Sequence, residues 1–297
     1  MRHSSRSIND VFGHLVWLVL VLCSWRIAAA QAQQAPITDP LEAAALNTIL
    51  GRWGKKASPE WNISGELCSG VAADLSNWDN YPNLNPFIKC DCNYKNGTLC
   101  HITKLRVVKL DVVGQIPSEL QNLTYLEDLN LGYNYLTGAM PSFIGKFTSM
   151  KYLALPFNPL SGPLPKELGN LTNLLSLGIS YCNFTGELPE ELGNMTNLQQ
   201  LYIDGSGFSG PFPSTFSKLK NLNTLRASVN EFRGKIPYYL GRLTNLVDVA
   251  FQGNSFEGPI PASLSNLSKL RNLRIGDIVN GSSPLAFINS LTSLSNL

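Results

Sequence analysis

The sequence predicts an α/β repeat fold, a right-handed solenoid of 24-residue coils with a disulfide-bonded cap at its N-terminal end. Three observations predict this fold. Two are features that recur every 24 residues, and the third is a cysteine cluster ahead of the first coil. The first feature is a Gly-x-x-Pro step, at Gly114, Gly138, Gly162, Gly186, Gly210, Gly234 and Gly258 with Pro117, Pro141, Pro165, Pro189, Pro213, Pro237 and Pro261. The second is an apolar ladder, at Leu105, Leu129, Leu153, Leu177, Leu201, Leu225, Val249, Leu273 and Leu297. A single coil cannot bury its apolar edge alone, so the coils must stack.

Each coil follows the pattern L-x-x-L-x-L-x-x-N-x-L-x-G-x-(I/L)-P, which is the leucine-rich-repeat template. Its L-x-L core predicts a strand with alternate side chains inward and the others on a solvent-facing concave surface. An asparagine, as in Asn134 or Asn158, follows the strand, and we expect its amide to bond backbone groups of adjacent coils. Cys182 and Ser206 take this position in two coils, so Cys182 is predicted to be a buried free thiol. The glycine permits a turn closed to other residues.

Residues 31–101 are predicted to form the cap, ahead of about eight coils over residues 102–297. Asp39 is expected to cap a helix with Pro40 at its first position and Glu42 completing a capping box. We expect Leu41, Ala45, Ile49 and Trp53 on its buried face, Gly51 or Gly54 at its end, and Trp61 and Trp78 over the first coil.

Four cysteines, Cys68, Cys90, Cys92 and Cys100, lie within 33 residues. In a secreted chain they predict two disulfides, and sequence alone leaves all three pairings open. A zinc site is the alternative, but the spacing lacks paired C-x-x-C knuckles, and zinc-binding cysteines suit a reducing compartment better. We therefore expect no metal and no cofactor.

Residues 1–30 have the pattern of a cleaved secretory signal peptide, with a charged start, a 15-residue apolar stretch from Val11 to Trp25 and Ala28-Ala29-Ala30 before Gln31. A membrane anchor is less consistent, because a span needs about 20 residues. Eight Asn-x-Ser/Thr sequons favour the same secretory route, at Asn62, Asn96, Asn122, Asn170, Asn183, Asn194, Asn266 and Asn280. Four of them share one register, at Asn122, Asn170, Asn194 and Asn266, so we expect glycans on one flank and none on the concave face or the opposite flank.

The charge balance excludes some function classes. Without the leader's three arginines and one aspartate, the chain has 20 basic and 20 acidic residues. A neutral chain is a poor partner for nucleic acid. Gly205–Gly210 matches G-x-G-x-x-G, but Gly210 is the repeat glycine and prolines follow where a phosphate-binding helix would begin. No catalytic motif is present in the sequence, which argues against catalysis by this chain.

The predicted concave face carries the candidate ligand-binding residues. Tyr133, Phe157 and Tyr181 follow the L-x-L core in three consecutive coils, and Tyr202, Asp204 and Arg226 lie on the next two. An aromatic stripe edged by an acid and a base would suit an extracellular peptide, a carbohydrate or a co-receptor protein. The alternative is that the stacked rings only stabilise the sheet.

The segment Leu136-Thr-Gly-Ala-Met-Pro141 resembles the plant-specific leucine-rich repeat. The cap sequences around Trp61–Gly70, Ile88–Cys92 and Cys100–Thr103 are similar to those of plant leucine-rich-repeat receptor-like kinases with a malectin-like domain after the repeats. The resemblance implies an extracellular recognition function at the cell surface, ahead of a membrane span and a serine/threonine kinase that these residues do not include.

The alternative function is a secreted inhibitor of a cell-wall-degrading enzyme, like the polygalacturonase inhibitors, which share this repeat. An early Gly281-x-x-Pro284 step predicts an irregular eighth coil. The ladder then resumes and stops inside a predicted strand at Leu297. Because this would leave a solenoid end open to water, we expect a fragment or a truncated gene product.

Overall fold

The computed structural model describes residues 35–61, 65–280 and 285–297, which form a stack of parallel coils behind an N-terminal cap. The predicted signal peptide, the sequon at Asn62 and the early glycine–proline step at Gly281 and Pro284 lie outside the described residues. Within the described ranges, no helix is long and apolar enough to cross a membrane.

The described residues contain one α-helix, α1, which spans Pro40–Arg52. The strands of the described residues are β1 (Ile37–Thr38), β2 (Phe87–Tyr94), β3 (Leu99–Arg106), β4 (Val113–Gly114), β5 (Asp128–Asn130), β6 (Tyr135–Leu136), β7 (Tyr152–Ala154), β8 (Ser161–Gly162), β9 (Ser176–Gly178), β10 (Asn183–Phe184), β11 (Gln200–Tyr202), β12 (Ser209–Gly210), β13 (Thr224–Arg226), β14 (Glu231–Lys235), β15 (Asp248–Ala250), β16 (Ser255–Glu257) and β17 (Asn272–Arg274). The 3-10 helices are Gly70–Ala72, Trp78–Asn80, Lys95–Gly97, Ser118–Asn122, Ser142–Lys146, Lys166–Asn170, Glu190–Asn194, Ser214–Lys218, Tyr238–Arg242, Ala262–Asn266 and Leu285–Ser290.

The odd-numbered strands form one long parallel sheet in the order β1-β3-β5-β7-β9-β11-β13-β15-β17, and β2 pairs antiparallel with β3. Its register follows the 24-residue period, so that Leu129 pairs with Leu105 and Leu153. These leucines are almost fully buried, as the apolar ladder predicts. Near the end of the chain, Asn296 forms a parallel bridge with Asn272, so the last residues continue the sheet.

A second layer of short parallel strands contains several of the repeat glycines, where the sequence predicted only a turn. It pairs β4 with β6, β8 with β10, and β14 with both β12 and β16. Gly162 and Gly234 have φ of +77° and +78° within it, a left-handed conformation that glycine adopts without steric cost. The prediction of a special backbone conformation is confirmed for six of the seven repeat glycines, and Gly258 is the exception.

The coils are filled from behind by side chains of 3-10 helices that begin directly after the repeat prolines. Leu168, Leu171, Leu192 and Met195 are buried there. Pro165 and Pro189 precede the helices Lys166–Asn170 and Glu190–Asn194 in extended conformation. Proline fits this place because it has no N–H to leave unpaired.

The buried asparagines join successive coils. Asn134 Oδ1 accepts hydrogen bonds from the N–H groups of Leu110 and Val112, at 3.1 and 3.2 Å, and its Nδ2 donates to Val107 O at 2.7 Å. Asn158, Asn230 and Asn254 make the equivalent bonds. This confirms the predicted role of the amide, since buried backbone groups need partners.

The two residues that replace the buried asparagine, Cys182 and Ser206, behave as expected. Ser206 Oγ donates to Ile179 O at 2.8 Å, and Cys182 is a buried free thiol whose Sγ lies 3.5 Å from Leu155 O. Burial raises the pKa of the Cys182 thiol to about 11. The thiolate, which is the reactive form, is therefore disfavoured.

Helix α1 differs from its prediction in two respects. Asp39 is the N-cap and accepts from the N–H groups of Leu41 and Glu42, at 2.9 and 3.3 Å, but Glu42 does not close a capping box. Its carboxylate is buried and bonds to residues of β3 instead. Of the predicted buried face, Ala45, Ile49 and Trp53 are buried as expected, but Leu41 is 60% exposed. Leu46 and Leu50, which the prediction did not include, are buried as well.

The helix ends at Arg52, and Gly54 follows with φ of +63°, so Gly54 rather than Gly51 marks its end. Trp61 and Trp78 are buried in the same apolar core as the first coil, as predicted. The disulfides join Cys68 to Cys90 and Cys92 to Cys100, which settles the pairing that the sequence left open. The first bridge ties the loop before β2 to that strand, and the second closes the β2–β3 hairpin.

Candidate ligand-binding surface

The outer face of the long sheet is the predicted concave face. Its middle is nearly flat, because Ala154 and Gly178 are register partners on β7 and β9. Tyr152 is 44% exposed on one strand of this region, and Tyr202 pairs with Gly178 from β11. We call the area around Ala154 and Gly178 the open floor. Along this row, the small residues Ala154 and Gly178 lie between the larger Asn130 and Tyr202.

Tyr133, Phe157 and Tyr181 form a continuous stack that we call the aromatic ridge. Successive ring centroids are 4.4 and 4.5 Å apart, and the rings are within 19° of parallel. The three side chains are 41–52% exposed. The prediction that they lie one above another on successive coils is confirmed by the ring stacking. The ridge lies at the edge of the outer face, where the chain leaves each strand with φ near +56°.

Both ends of the aromatic ridge are covered. The Lys109 ammonium lies 4.7 Å from the Tyr133 ring centroid. At the other end, a Cβ on Gly205 would lie 2.8 Å from Tyr181 Cδ1, so only glycine fits against that ring. The ring faces are therefore occupied, and the ridge presents ring edges and the two tyrosine hydroxyls to solvent.

The predicted acid and base are not paired with each other. Arg226 donates from Nη2 and Nε to Asp248 Oδ2, at 2.8 and 3.1 Å, whereas Asp204 Oδ1 accepts from the Ser228 N–H at 2.8 Å. Burial raises the pKa of Asp204, opposed by its bond from Ser228 and by the nearby Arg226 charge. The sequence analysis missed Asp248, which is an acidic residue one coil beyond Arg226 at a solvent-facing strand position.

Asp128 is a second acidic residue that the sequence analysis missed. It lies on β5 between Lys104 of β3 and Tyr152 of β7. Burial raises the pKa of its carboxyl to about 6, and Lys104 only partly offsets this effect. The outer face therefore carries a carboxyl group that titrates in the mildly acidic range.

We expect Asp128→Asn to stabilise the chain at pH 7.5 and to have little effect at pH 4. The folded pKa, near 6, lies above the ordinary value of 3.8, so the folded state holds the proton more tightly. The contribution of Asp128 to the free energy of unfolding is thus most favourable below pH 3.8, and it is lost as the pH rises through 6. After solvent screening, the gain above pH 6 should be about 1 kcal/mol.

Urea unfolding at the two pH values measures the Asp128→Asn effect. Asp248→Asn is the matched control, because Asp248 has the same position in its coil but is ion-paired with Arg226. That substitution should not stabilise the chain at pH 7.5. An equal gain from Asp128→Asn at both pH values would contradict the assignment.

The sequons are distributed less simply than predicted. Asn122, Asn170, Asn194 and Asn266 each end a 3-10 helix, which places them on one flank. Asn183, however, is an exposed residue of β10 in the second layer, on the other side of the coil. The absence of glycans on the opposite flank stays a prediction, and a glycan at Asn183 would contradict it.

The comparisons with known proteins agree with this architecture. A family model described as a leucine-rich repeat region matches residues 165–297, and a leucine-rich-repeat model matches residues 125–147. A probable LRR receptor-like serine/threonine-protein kinase of Arabidopsis thaliana is 49% identical over 112 residues, covering 38% of this chain and 11% of the relative. Another from the same plant is 47% identical over 111 residues, covering 37% and 11%.

Among solved structures, the LRR ectodomain of the Arabidopsis thaliana membrane receptor kinase GASSHO1/SCHENGEN3, in complex with CASPARIAN STRIP INTEGRITY FACTOR 2, superposes with a TM-score of 0.66. It is 30% identical, and the match covers 74% of this chain and 26% of that one. The chain spans about a tenth of the length of the curated relatives named above. It is therefore a leucine-rich-repeat solenoid whose homologues are plant LRR receptor-like serine/threonine kinases.

Proposed function

We propose that this chain is the ligand-recognising part of a receptor-like kinase ectodomain and that it takes an extracellular peptide or a co-receptor protein on the outer face of the long sheet. The identity of 49% and 47% to two receptor-like kinases favours this function over a secreted enzyme inhibitor. The kinase activity would belong to a part of the protein that these residues do not include.

The observation that carries the proposal is Gly178. Its φ is not left-handed, and a Cβ built on it would meet nothing within 4 Å, so neither backbone conformation nor packing within the described chain requires glycine. Glycine inside a strand weakens the strand, and it often marks a site where a ligand or another backbone approaches closely. The open floor fits that role.

The surroundings of the open floor favour a polypeptide. The aromatic ridge offers edges and hydroxyls rather than free ring faces, which would be needed to stack a sugar ring. Tyr202 and the Arg226–Asp248 ion pair lie one and two coils further along the same face. An extended segment could cross several coils and contact each of these groups.

The remaining parts of the proposal rest on the sequence. We infer that residues 1–30 direct the chain into the secretory pathway and are removed, that residues 31–101 and 102–297 are cap and repeats, and that the sequons are glycosylated. A malectin-like domain after the repeats is part of the same proposal. The full-length protein would then lie at the cell surface, and a truncated one would be secreted.

A substitution that fills the open floor tests the function. The full chain, secreted from plant cells, is screened against a library of synthetic peptides from plant secreted proteins, and the affinity of each binder is measured by calorimetry. Gly178→Leu should weaken binding by about tenfold or more, because the side chain would occupy the floor. Its unfolding midpoint should not fall, since the added atoms point into open space.

Gly51→Leu is the matched control. Gly51 also has open space where a Cβ would lie, but it is an exposed residue of the cap helix. That variant should bind each peptide as the unchanged chain does. If every peptide that binds does so equally well to Gly178→Leu, or if none binds, the proposed function is wrong.

A further inference from the structure

The second layer of short strands has an unpaired edge at β4, its first strand. Among the described residues, β4 pairs only with β6. In that pairing, the N–H groups of Tyr135 and Thr137 donate to the carbonyls of Val112 and Gly114. The main-chain groups of successive strand residues point to opposite sides. The N–H and C=O of Val113 therefore point away from β6, and they have no hydrogen bond within the described chain.

The cap closes the edge of the long sheet but not the edge of the second layer. β1 is the first strand of the long sheet, and the N–H of Thr38, on the side away from β3, donates to Glu66 Oε1 at 3.0 Å. No described residue makes an equivalent bond to the outer side of β4. An unpaired strand edge is a template on which another chain can pair. The second layer can therefore be extended at β4.

A groove lies along this edge of β4, and we call it the edge groove. Its volume is about 520 Å³, and its lining includes Arg52 and Trp53 at the end of α1, Val113 of β4 and Phe143 of the next coil. The Val113 side chain is 68% exposed. Nothing lies within 4 Å of the position that a Cβ on Gly114 would take, so the space beside the strand is open.

The groups that line the edge groove suit an extended polypeptide. A polypeptide main chain can supply both an acceptor for the Val113 N–H and a donor for its C=O. The rings of Trp53 and Phe143 offer apolar contact to a side chain of the same segment. The charged residue of the lining, Arg52, is already paired with Glu119, so a charge on the segment would gain little.

Trp53 contributes a further unused donor. Its side chain is 7% exposed, and its indole N–H has no hydrogen-bond partner in the described part of the chain. A buried donor without an acceptor is unfavourable. A segment that brought a main-chain carbonyl to this indole would supply the missing acceptor.

We propose that the edge groove binds an extended, uncharged segment of a partner protein, which adds to β4 as a further strand of the second layer. An apolar side chain of that segment would lie against Trp53 and Phe143. The site lies on the second layer rather than on the outer face of the long sheet. It therefore goes beyond the proposed function and does not depend on it.

The test uses the full chain, secreted from plant cells. The probes are synthetic eight-residue peptides of alternating threonine and valine, with blocked ends and with Ala, Leu or Phe at one central position. Each is also made with N-methyl groups on its four central residues, which removes the main-chain donors. Binding is measured by calorimetry and by the fluorescence of Trp53, which lines the groove. At least one peptide should bind with a dissociation constant of about 100 µM or tighter, and its N-methylated form about tenfold more weakly or worse.

Three variants locate the site. Val113→Pro removes the unpaired N–H and should weaken binding by about tenfold, while proline is tolerated on a strand edge, so the unfolding midpoint should not fall. Val113→Thr is the matched control, because it keeps both main-chain groups and a β-branched side chain, and it should bind as the unchanged chain does. Phe143→Ala should weaken binding of the peptide with a central Phe more than that of the peptide with a central Ala.

The outcomes are separable from those of the open floor. Failure of every peptide to bind, equal binding of the N-methylated forms, or equal binding by Val113→Pro would each overturn the inference. Binding that Gly178→Leu abolishes but Val113→Pro does not would place the peptide on the open floor and would also overturn it. Self-association of the chain that Val113→Pro abolishes would assign β4 to a second copy instead. Retention of these peptides by Gly178→Leu, with loss of the ligand of the open floor, would support both proposals.

Discussion

Gly169→Ala should lower the free energy of unfolding by about 3 kcal/mol, although it adds only one methyl group. Gly169 lies in the 3-10 helix Lys166–Asn170, and a Cβ there would be 2.3 Å from the Glu191 backbone oxygen of the next coil. The obstacle is backbone rather than the end of a flexible side chain. The two coils must therefore separate, which opens the core between them.

The chain itself contains the comparison that supports this expectation. Gly145 and Gly241 occupy the same position and have the same close approach to backbone, at 2.3 and 2.1 Å. Where Gln121 and Ser217 stand in this position, the 3-10 helix of that coil is much less closely packed against the next one. In these two coils a side chain at this place accompanies a wider separation between the backs of the coils.

Gly178→Ala is the matched control, because it lies nine residues away in the same coil. Nothing lies within 4 Å of its Cβ position, so alanine should leave stability unchanged or raise it by about 0.5 kcal/mol. Urea unfolding followed by far-UV circular dichroism measures both variants. Equal stability of Gly169→Ala and the unchanged chain would show that the coils separate without cost.

The 24-residue period predicted the repeating part of the structure almost completely. The ladder leucines, the asparagine bonds and the left-handed repeat glycines each follow from a local pattern that every coil repeats. The glycines at Gly145, Gly169, Gly193 and Gly241 were missed, although their 24-residue recurrence could have found them. Their function is close approach between coils, which a search for turns does not detect.

The parts of the structure that do not follow the 24-residue repeat were harder to predict. Glu42 fits the spacing of a capping box, yet its carboxylate bonds to residues about 60 positions away, and no local pattern reports that contact. The aromatic ridge was found from the register, but the residues that cover its ends, Lys109 and Gly205, belong to other coils. The resulting loss of free ring faces changes which ligands suit the surface.

Glu42→Ala should lower the stability of the cap by about 3 kcal/mol. The Glu42 side chain is 3% exposed, its Oε1 lies 2.7 Å from His101 Nδ1, and its Oε2 accepts from the Ile102 N–H at 2.6 Å. His101 is itself buried and stacks on Tyr125, with centroids 3.7 Å apart. Removal of the carboxylate leaves a buried backbone donor and a buried imidazole nitrogen without partners.

Glu42→Gln separates the loss of hydrogen bonds from the loss of charge. Its amide oxygen can still accept from the Ile102 N–H, so we expect this variant to lose only about 1 kcal/mol. Asp39→Ala is a second comparison, because Asp39 caps the same helix from a partly exposed position. Loss of a helix cap of this kind typically costs about 1 kcal/mol as well.

The tryptophans allow the cap to be followed by itself. After residue 34 the chain contains only Trp53, Trp61 and Trp78, and all three are buried in the cap. Tryptophan fluorescence therefore reports unfolding of the cap, while far-UV circular dichroism also reports the strands of the coils. Glu42→Ala should shift the fluorescence transition to lower urea ahead of the circular dichroism transition, because stability in a solenoid is the sum of local contributions. A fluorescence midpoint equal to that of the unchanged chain would show that the Glu42 carboxylate does not hold α1 against β3.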